Sequence, residues 1–223
     1  MNSFTPVESR SFVGWILPAV QLAATLLVLS LRIENVLKLA AFAAIWALTF
    51  RRVSPREIVC FLVVSTLFSL MDIMAVRQGV FAFSHPDVAG LPVWEYFMWG
   101  FLILHILRTL DGPAPAPRWR LALPLAALFA LPFGSLSNPW MLLAASACVL
   151  ALSLVLFHET RDIYYVAYTV LLGAAFEYVG VWSGQWQYPR HPIGGVELWA
   201  VTMWAGIGLF ARRLVLPLLS PAR

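Results

Sequence analysis

Charge is what this sequence has least of. Charged residues make up only 12% of the 223, against 61% hydrophobic residues and a mean hydropathy of +0.81. A water-soluble domain carries about a quarter charged residues. Folded in water, this chain would expose apolar patches large enough to drive aggregation. Cysteine is scarce too: Cys60 and Cys148 both lie in apolar runs, so neither a disulfide framework nor a metal site is indicated. There is no P-loop, no Asp-rich diphosphate–magnesium motif, no GxSxG and no CxxC, which argues against ATP-driven work and metal-dependent ionisation of a prenyl diphosphate. The net charge of +4 does not point to nucleic acid, because the arginines sit at the edges of apolar runs rather than along one face. The polar start, Met1 to Arg10, precedes an apolar run too long for a signal-peptide core and without a small-x-small cleavage site, so a retained helix is expected.

What remains is an integral membrane protein, all-α, built as a polytopic bundle. Eight apolar runs can be marked: Phe12–Leu31, Asn35–Phe50, Ile58–Val76, Leu91–Leu110, Trp119–Leu136, Trp140–Phe157, Ile163–Val181 and Val196–Leu219. The second carries Lys38 and the fifth is interrupted by Pro124 and Pro132, so a seven-helix count is the alternative. With eight spans, eleven of the 15 lysines and arginines fall on the side of the termini and four on the other. That bias predicts both termini in the cytoplasm of a bacterial inner membrane.

A shift of 105 residues aligns Asp72 with Glu177, Gly79 with Gly184, Phe81 with Trp186, Phe83 with Tyr188 and Gly90 with Gly195. The match continues without a gap through Trp94/Trp199, Met98/Met203, Trp99/Trp204 and Arg108/Arg213. The chain therefore reads as a tandem four-helix repeat, residues 1–113 and 114–223. Because four is even, the two copies enter the membrane in the same sense, as a parallel repeat about an axis along the membrane normal.

Acids inside membrane spans are functional candidates by default, since hydrocarbon penalises a carboxylate that is not paired, protonated or wetted. Four qualify: Asp72, Glu95, Glu177 and Glu197. The plain alternative is that they sit in wet interfacial regions or pair with Arg77 and Arg190. Glu197 falls three positions before the equivalent of Glu95, which predicts the same helical face one turn away. Six of the ten tryptophans crowd into the two repeated motifs. Trp182 and Trp186 are equally readable as an interfacial belt; Trp99 and Trp204 lie deeper and are candidates to line a cavity and shelter a cation. His85 and His191 fall in the turns with Gly79, Gly184, Pro86 and Pro192, and lack the spacing of a metal pair. No role attaches to His105 or His158.

The stretch from Asp72 to Phe83, followed by Gly90-Leu-Pro-Val-Trp-Glu95, resembles the lycopene cyclase domain, the small membrane-bound type of bacterial, archaeal and fungal enzymes. Related small membrane terpene cyclases and carotenoid hydratases resemble the chain in size. That family's Pro-Leu-Glu-Glu motif reads Pro92-Val93-Trp94-Glu95 here, and Val196-Glu197-Leu198-Trp199 in the second half. The resemblance implies acid-initiated, cofactor-free cyclisation or hydration of a polyprenyl or carotenoid-like substrate, with Asp72, Glu95 and Glu177 carried over as catalytic acids. On this expectation Glu95 or Asp72 protonates an alkene or epoxide, and Glu177 or Glu197 accepts the last proton. Trp94, Trp99, Trp186, Trp199, Trp204, Phe81 and Tyr188 form the substrate wall. No metal or redox cofactor and no nucleic acid enter; the partners are the isoprenoid, membrane lipids and a second copy of the chain. Two other readings stay open: a non-catalytic scaffold or lipid-binding protein, and a proton-coupled transporter.

Overall fold

The computed structural model describes residues 12–50, 52–110, 112–190 and 193–219, with side chains from residue 15 onward. His191, Pro192, Arg10, Arg51 and Arg223 of the sequence reading lie outside the described residues. Eight helices follow in order: α1 Phe12–Ser30, α2 Asn35–Phe50, α3 Pro55–Arg77, α4 Val93–Thr109, α5 Trp119–Ser135, α6 Pro139–Phe157, α7 Thr160–Trp182 and α8 Trp199–Leu219. Four of these (α3, α6, α7 and α8) are long and apolar enough to cross a membrane, and α1, α2 and α5 are shorter apolar helices.

Local chemistry sets the helix starts. Ser54 and Glu57 form a reciprocal capping box before α3, with Pro55 in its first turn. Asn138 accepts from the N–H groups of Trp140 and Met141 to open α6, again with a proline at the first helical position. Pro18, Pro124 and Pro132 sit inside α1 and α5. Neighbouring helices make such interruptions tolerable in a membrane bundle.

The surface is inverted relative to a soluble protein. Leu48, Val155 and Leu171 stand exposed, while Gln21, Lys38, Asp72, Glu95, His105, Asp162, Glu177, Arg212 and Arg213 are buried. This is the arrangement a hydrocarbon solvent demands, and the chain is a helical integral membrane bundle.

Equivalent elements repeat at the spacing seen in the sequence. α3 and α7 begin and end 105 residues apart. So do the isolated backbone bridges Val88–Leu91 and Ile193–Val196. Two-residue strands, β1 (Ala82–Phe83) and β2 (Trp186–Gln187), pair antiparallel and tie the α3–α4 loop to the α7–α8 loop. Across the bundle, α1 packs on α7 while α5 packs on α3, the exchange that a twofold relation produces.

Late in α8 the backbone widens into a π turn over Ala211–Val215. That turn brings Arg212 and Arg213 inward together, and both bind Asp162 on α7, Arg213 Nε lying 2.9 Å from Asp162 Oδ1. The counterpart in the first half is the Arg108–Glu57 pair, at 2.7 Å.

Candidate functional site

Beneath the β1–β2 ladder, α3, α4, α7 and α8 enclose a cavity of about 50 Å³. Of the eleven residues the sequence reading selected, ten line it: Asp72, Glu95, Glu177, Phe81, Trp94, Trp99, Trp186, Tyr188, Trp199 and Trp204. Glu197 does not join them. The chain from Val196 to Leu198 is still loop, α8 begins only at Trp199, and the buried Glu197 faces two other crevices instead. A one-turn offset on a helical face cannot hold where there is no helix.

The cavity wall is knitted by indole donors. Trp99 Nε1 donates to Asp72 Oδ2 at 2.6 Å, and Trp204 Nε1 donates to Glu177 Oε1 at 3.0 Å. These are the same contact in the two halves, at the same 105-residue shift. Glu177 takes two further donors on Oε2, Trp186 Nε1 at 3.1 Å and the Tyr188 hydroxyl at 2.6 Å. The first half has Phe81 and Phe83 at those positions, which have no polar hydrogen to give. Burial, and then the adjacent Glu177, hold the Tyr188 phenol well above its ordinary pKa, so it remains a donor. Glu95 is the third buried carboxyl on this wall, and no lysine or arginine lines it.

The two deep indoles lie against each other. Trp99 and Trp204 have ring centroids 5.5 Å apart, tilted by 33°. Phe68 stacks behind Trp99 at 4.7 Å and Phe176 behind Trp204 at 6.2 Å. The turns above depend on Gly90 and Gly195, whose φ values of +90° and +97° suit glycine, and whose added Cβ would strike Val76 and Val181.

Other expectations divide. Trp182 is exposed, as an interfacial belt requires, whereas Trp186 is buried and serves the cavity. Trp94 lines the cavity but points its Nε1 away, to Asn35 Oδ1 at 3.0 Å. Neither Arg77 nor Arg190 forms an ion pair with any of the four acids among the described residues. Lys38 is buried, donating to Leu29 O and Gln185 Oε1 beside the Trp94 ring. His105 is a buried tie between helices, with Nδ1 2.6 Å from Gln21 Oε1 and Nε2 2.6 Å from the Tyr168 hydroxyl. Sequence reasoning gave it no part because its partners come from α1 and α7. Met98, Met203, Phe83 and Phe176 also line the cavity; both methionines and Phe83 were visible in the repeat, while Phe176 had no such signal.

No family profile and no curated protein matches this chain. Two solved structures share its fold, both of MvINS, a mycobacterial Insig homologue from Mycobacterium vanbaalenii. One is a cross-linked trimer with a TM-score of 0.65 at 18% identity; the other has a TM-score of 0.62 at 20% identity. Each alignment covers 75% of this chain and 97% of the other. The cyclase reading, and with it the assignment as an enzyme, is thereby corrected: the fold is shared with an Insig homologue, and no terpene or lycopene cyclase is among the matches. The geometry gives the physical reason. A cavity of about 50 Å³ is small beside the roughly 300–1,000 Å³ that even drug-sized ligands occupy. Two of the acids are already engaged by indole and phenol donors that hold the helices together.

Proposed function

We propose that this chain is a non-catalytic, lipid-binding membrane protein whose central cavity seats the hydroxyl-bearing end of a membrane lipid. One observation carries the reading: three carboxyl groups and five indoles surround a space of about 50 Å³, with no cation on its wall. That volume suits a hydroxyl and its neighbouring atoms, since a buried water needs only about 10–15 Å³. Carboxyl oxygens accept from the hydroxyl, and the rings pack its carbon frame. A crevice between α7 and α8, lined by Ala174, Tyr178, Ile193 and Val201, shares Glu177 and Trp204 with the cavity and offers the apolar tail a path to the bilayer.

The test is lipid extraction and mass spectrometry of protein purified in mild detergent. Wild type retains a hydroxyl-bearing lipid near one per chain, and Glu95→Gln and Glu177→Gln lose it by roughly tenfold, as expected for a charge-assisted or buried hydrogen bond. Equal retention in both variants, at unchanged melting temperature, would overturn the proposal.

The same proposal places residues 1–113 and 114–223 as two halves of one membrane domain, with both termini cytoplasmic in a bacterial inner membrane, on the arginine bias. It also takes the chain to self-associate, a reading supported by the trimeric crystal of MvINS.

A further inference from the structure

The 105-residue shift relates two crevices on the face that carries the β1–β2 ladder. The first, of about 680 Å³, includes Asn35, His85, Asp87 and Gly184. The second, of about 270 Å³, includes Gln78, Gly79, Arg190, Glu197 and Trp199. Gly79 matches Gly184, Arg190 matches His85, and Trp199 matches Trp94, which borders the first crevice through Asn35.

In the first crevice the polar groups satisfy one another. Asn35 accepts from Trp94 Nε1 at 3.0 Å and donates to the His85 carbonyl at 2.7 Å and to Asp87 Oδ2 at 2.8 Å. In the second, the position of Asn35 is held by Trp140, which is exposed and has no amide to bridge its neighbours. Trp199 is buried at 3% exposure, yet its Nε1 has no hydrogen-bond partner among the described residues. Gln78 gives its amide nitrogen to the Gly134 carbonyl, and its buried Oε1 is left without a partner. Glu197, at 4% exposure, accepts no hydrogen bond among the described residues, and Arg190 is exposed there without an ion pair. Buried polar groups are rarely left so, and all four of these residues line the one crevice.

The polar groups of this crevice fall into two complementary sets. Trp199 Nε1 and the Arg190 guanidinium are donors, one of them cationic; Gln78 Oε1 and the Glu197 carboxylate are acceptors, one of them anionic. We propose that this crevice binds the headgroup of a zwitterionic phospholipid with a primary ammonium. Its phosphate lies toward Arg190 and Trp199, and its ammonium toward Glu197 and Gln78. A primary ammonium has three N–H donors for those acceptors, whereas a quaternary one has none. The site is at helix ends, where headgroups lie, and the exposed Trp140 and Met141 of α6 stand beside Pro139 at its rim, positioned for acyl chains.

Native mass spectrometry of the full chain tests this with phosphatidylethanolamine and phosphatidylcholine of identical acyl chains. Wild type is expected to retain the ethanolamine lipid about tenfold better. Glu197→Gln abolishes the preference, Arg190→Gln weakens both lipids, and Trp199→Phe, which keeps the ring and removes only the N–H, reduces retention severalfold. Glu177→Gln, in the central cavity, leaves the preference intact, so this site and the hydroxyl site fail independently. Equal retention of the two lipids, or an unchanged preference in Glu197→Gln, overturns the proposal; if that variant does not fold, unchanged retention of both lipids in Arg190→Gln, whose side chain lines this crevice and not the central cavity, overturns it in its place. Displacement by soluble glycerophosphoethanolamine at concentrations matching the lipid would make the ligand a soluble zwitterion and also overturn it.

Discussion

Asp72 and Glu177 stand at equivalent positions but are held differently, because Trp186 and Tyr188 supply donors that Phe81 and Phe83 cannot. The second half is thus the more firmly pinned, and within it Gly173 packs closely against Trp204. A Cβ at Gly173 would lie 2.0 Å from Trp204 Cγ. Gly173→Ala gains about 1 kcal/mol of helix propensity but displaces the indole that binds Glu177, an overpacking cost of about 1–3 kcal/mol on top of the lost hydrogen bond. The expected outcome is a lower melting temperature by intrinsic tryptophan fluorescence; an unchanged or raised one would refute the packing argument. The acids and indoles were legible in the sequence because hydrocarbon makes them conspicuous and the repeat doubled each signal. Glu197 was misplaced because hydropathy does not show where a loop yields to a helix. The empty partnerships of Trp199 and Gln78 were invisible, since a missing hydrogen bond is a property of the fold alone.

Helix positions followed from hydropathy to within a few residues, as with the observed α2 and α7. What hydropathy could not carry was the β1–β2 ladder, two residues long on each side, and the π turn in α8. The π turn changes the electrostatics of its end of the bundle. Arg212 and Arg213 both reach Glu159, at 2.7 and 2.9 Å, as well as Asp162. Partial burial works to raise the Glu159 pKa, but the hydrogen bonds and charge of the two arginines outweigh it and hold it below the usual carboxylate value. A lowered folded-state pKa stabilises the protein above the unfolded value, near pH 4.3, and that contribution is lost as pH falls through the folded value. Because the Glu159 side chain is 43% exposed, the effect is modest. Melting curves from pH 6 downward should show wild type above Glu159→Gln, with the gap closing on acidification. A gap that stays constant would mean that the ion pair is not its source.

At the scale of the molecule, the halves are interlaced rather than adjacent, with α1 on α7 and α5 on α3. These contacts place helices of each half against helices of the other. Two chains split within 112–118 and produced together should therefore co-purify as a folded complex, while either alone aggregates; a soluble, folded single half would contradict the interlaced reading. The repeat is a reading of spacing, and the functional inference drawn from its motif was not secure. Acids and aromatics at these positions serve helix cohesion as readily as chemistry, and cavity size, which separates the two, is not written in residue order.

The meeting of Trp99 on α4 with Trp204 on α8 has an optical consequence. Two indole chromophores with centroids 5.5 Å apart and a 33° tilt couple their transition dipoles, giving a bisignate circular dichroism band that neither ring produces alone. The band belongs to the junction of the halves, so it reports their registry directly and without a label. A molecule that entered the central cavity would perturb it in proportion to occupancy, which makes the protein its own titration indicator.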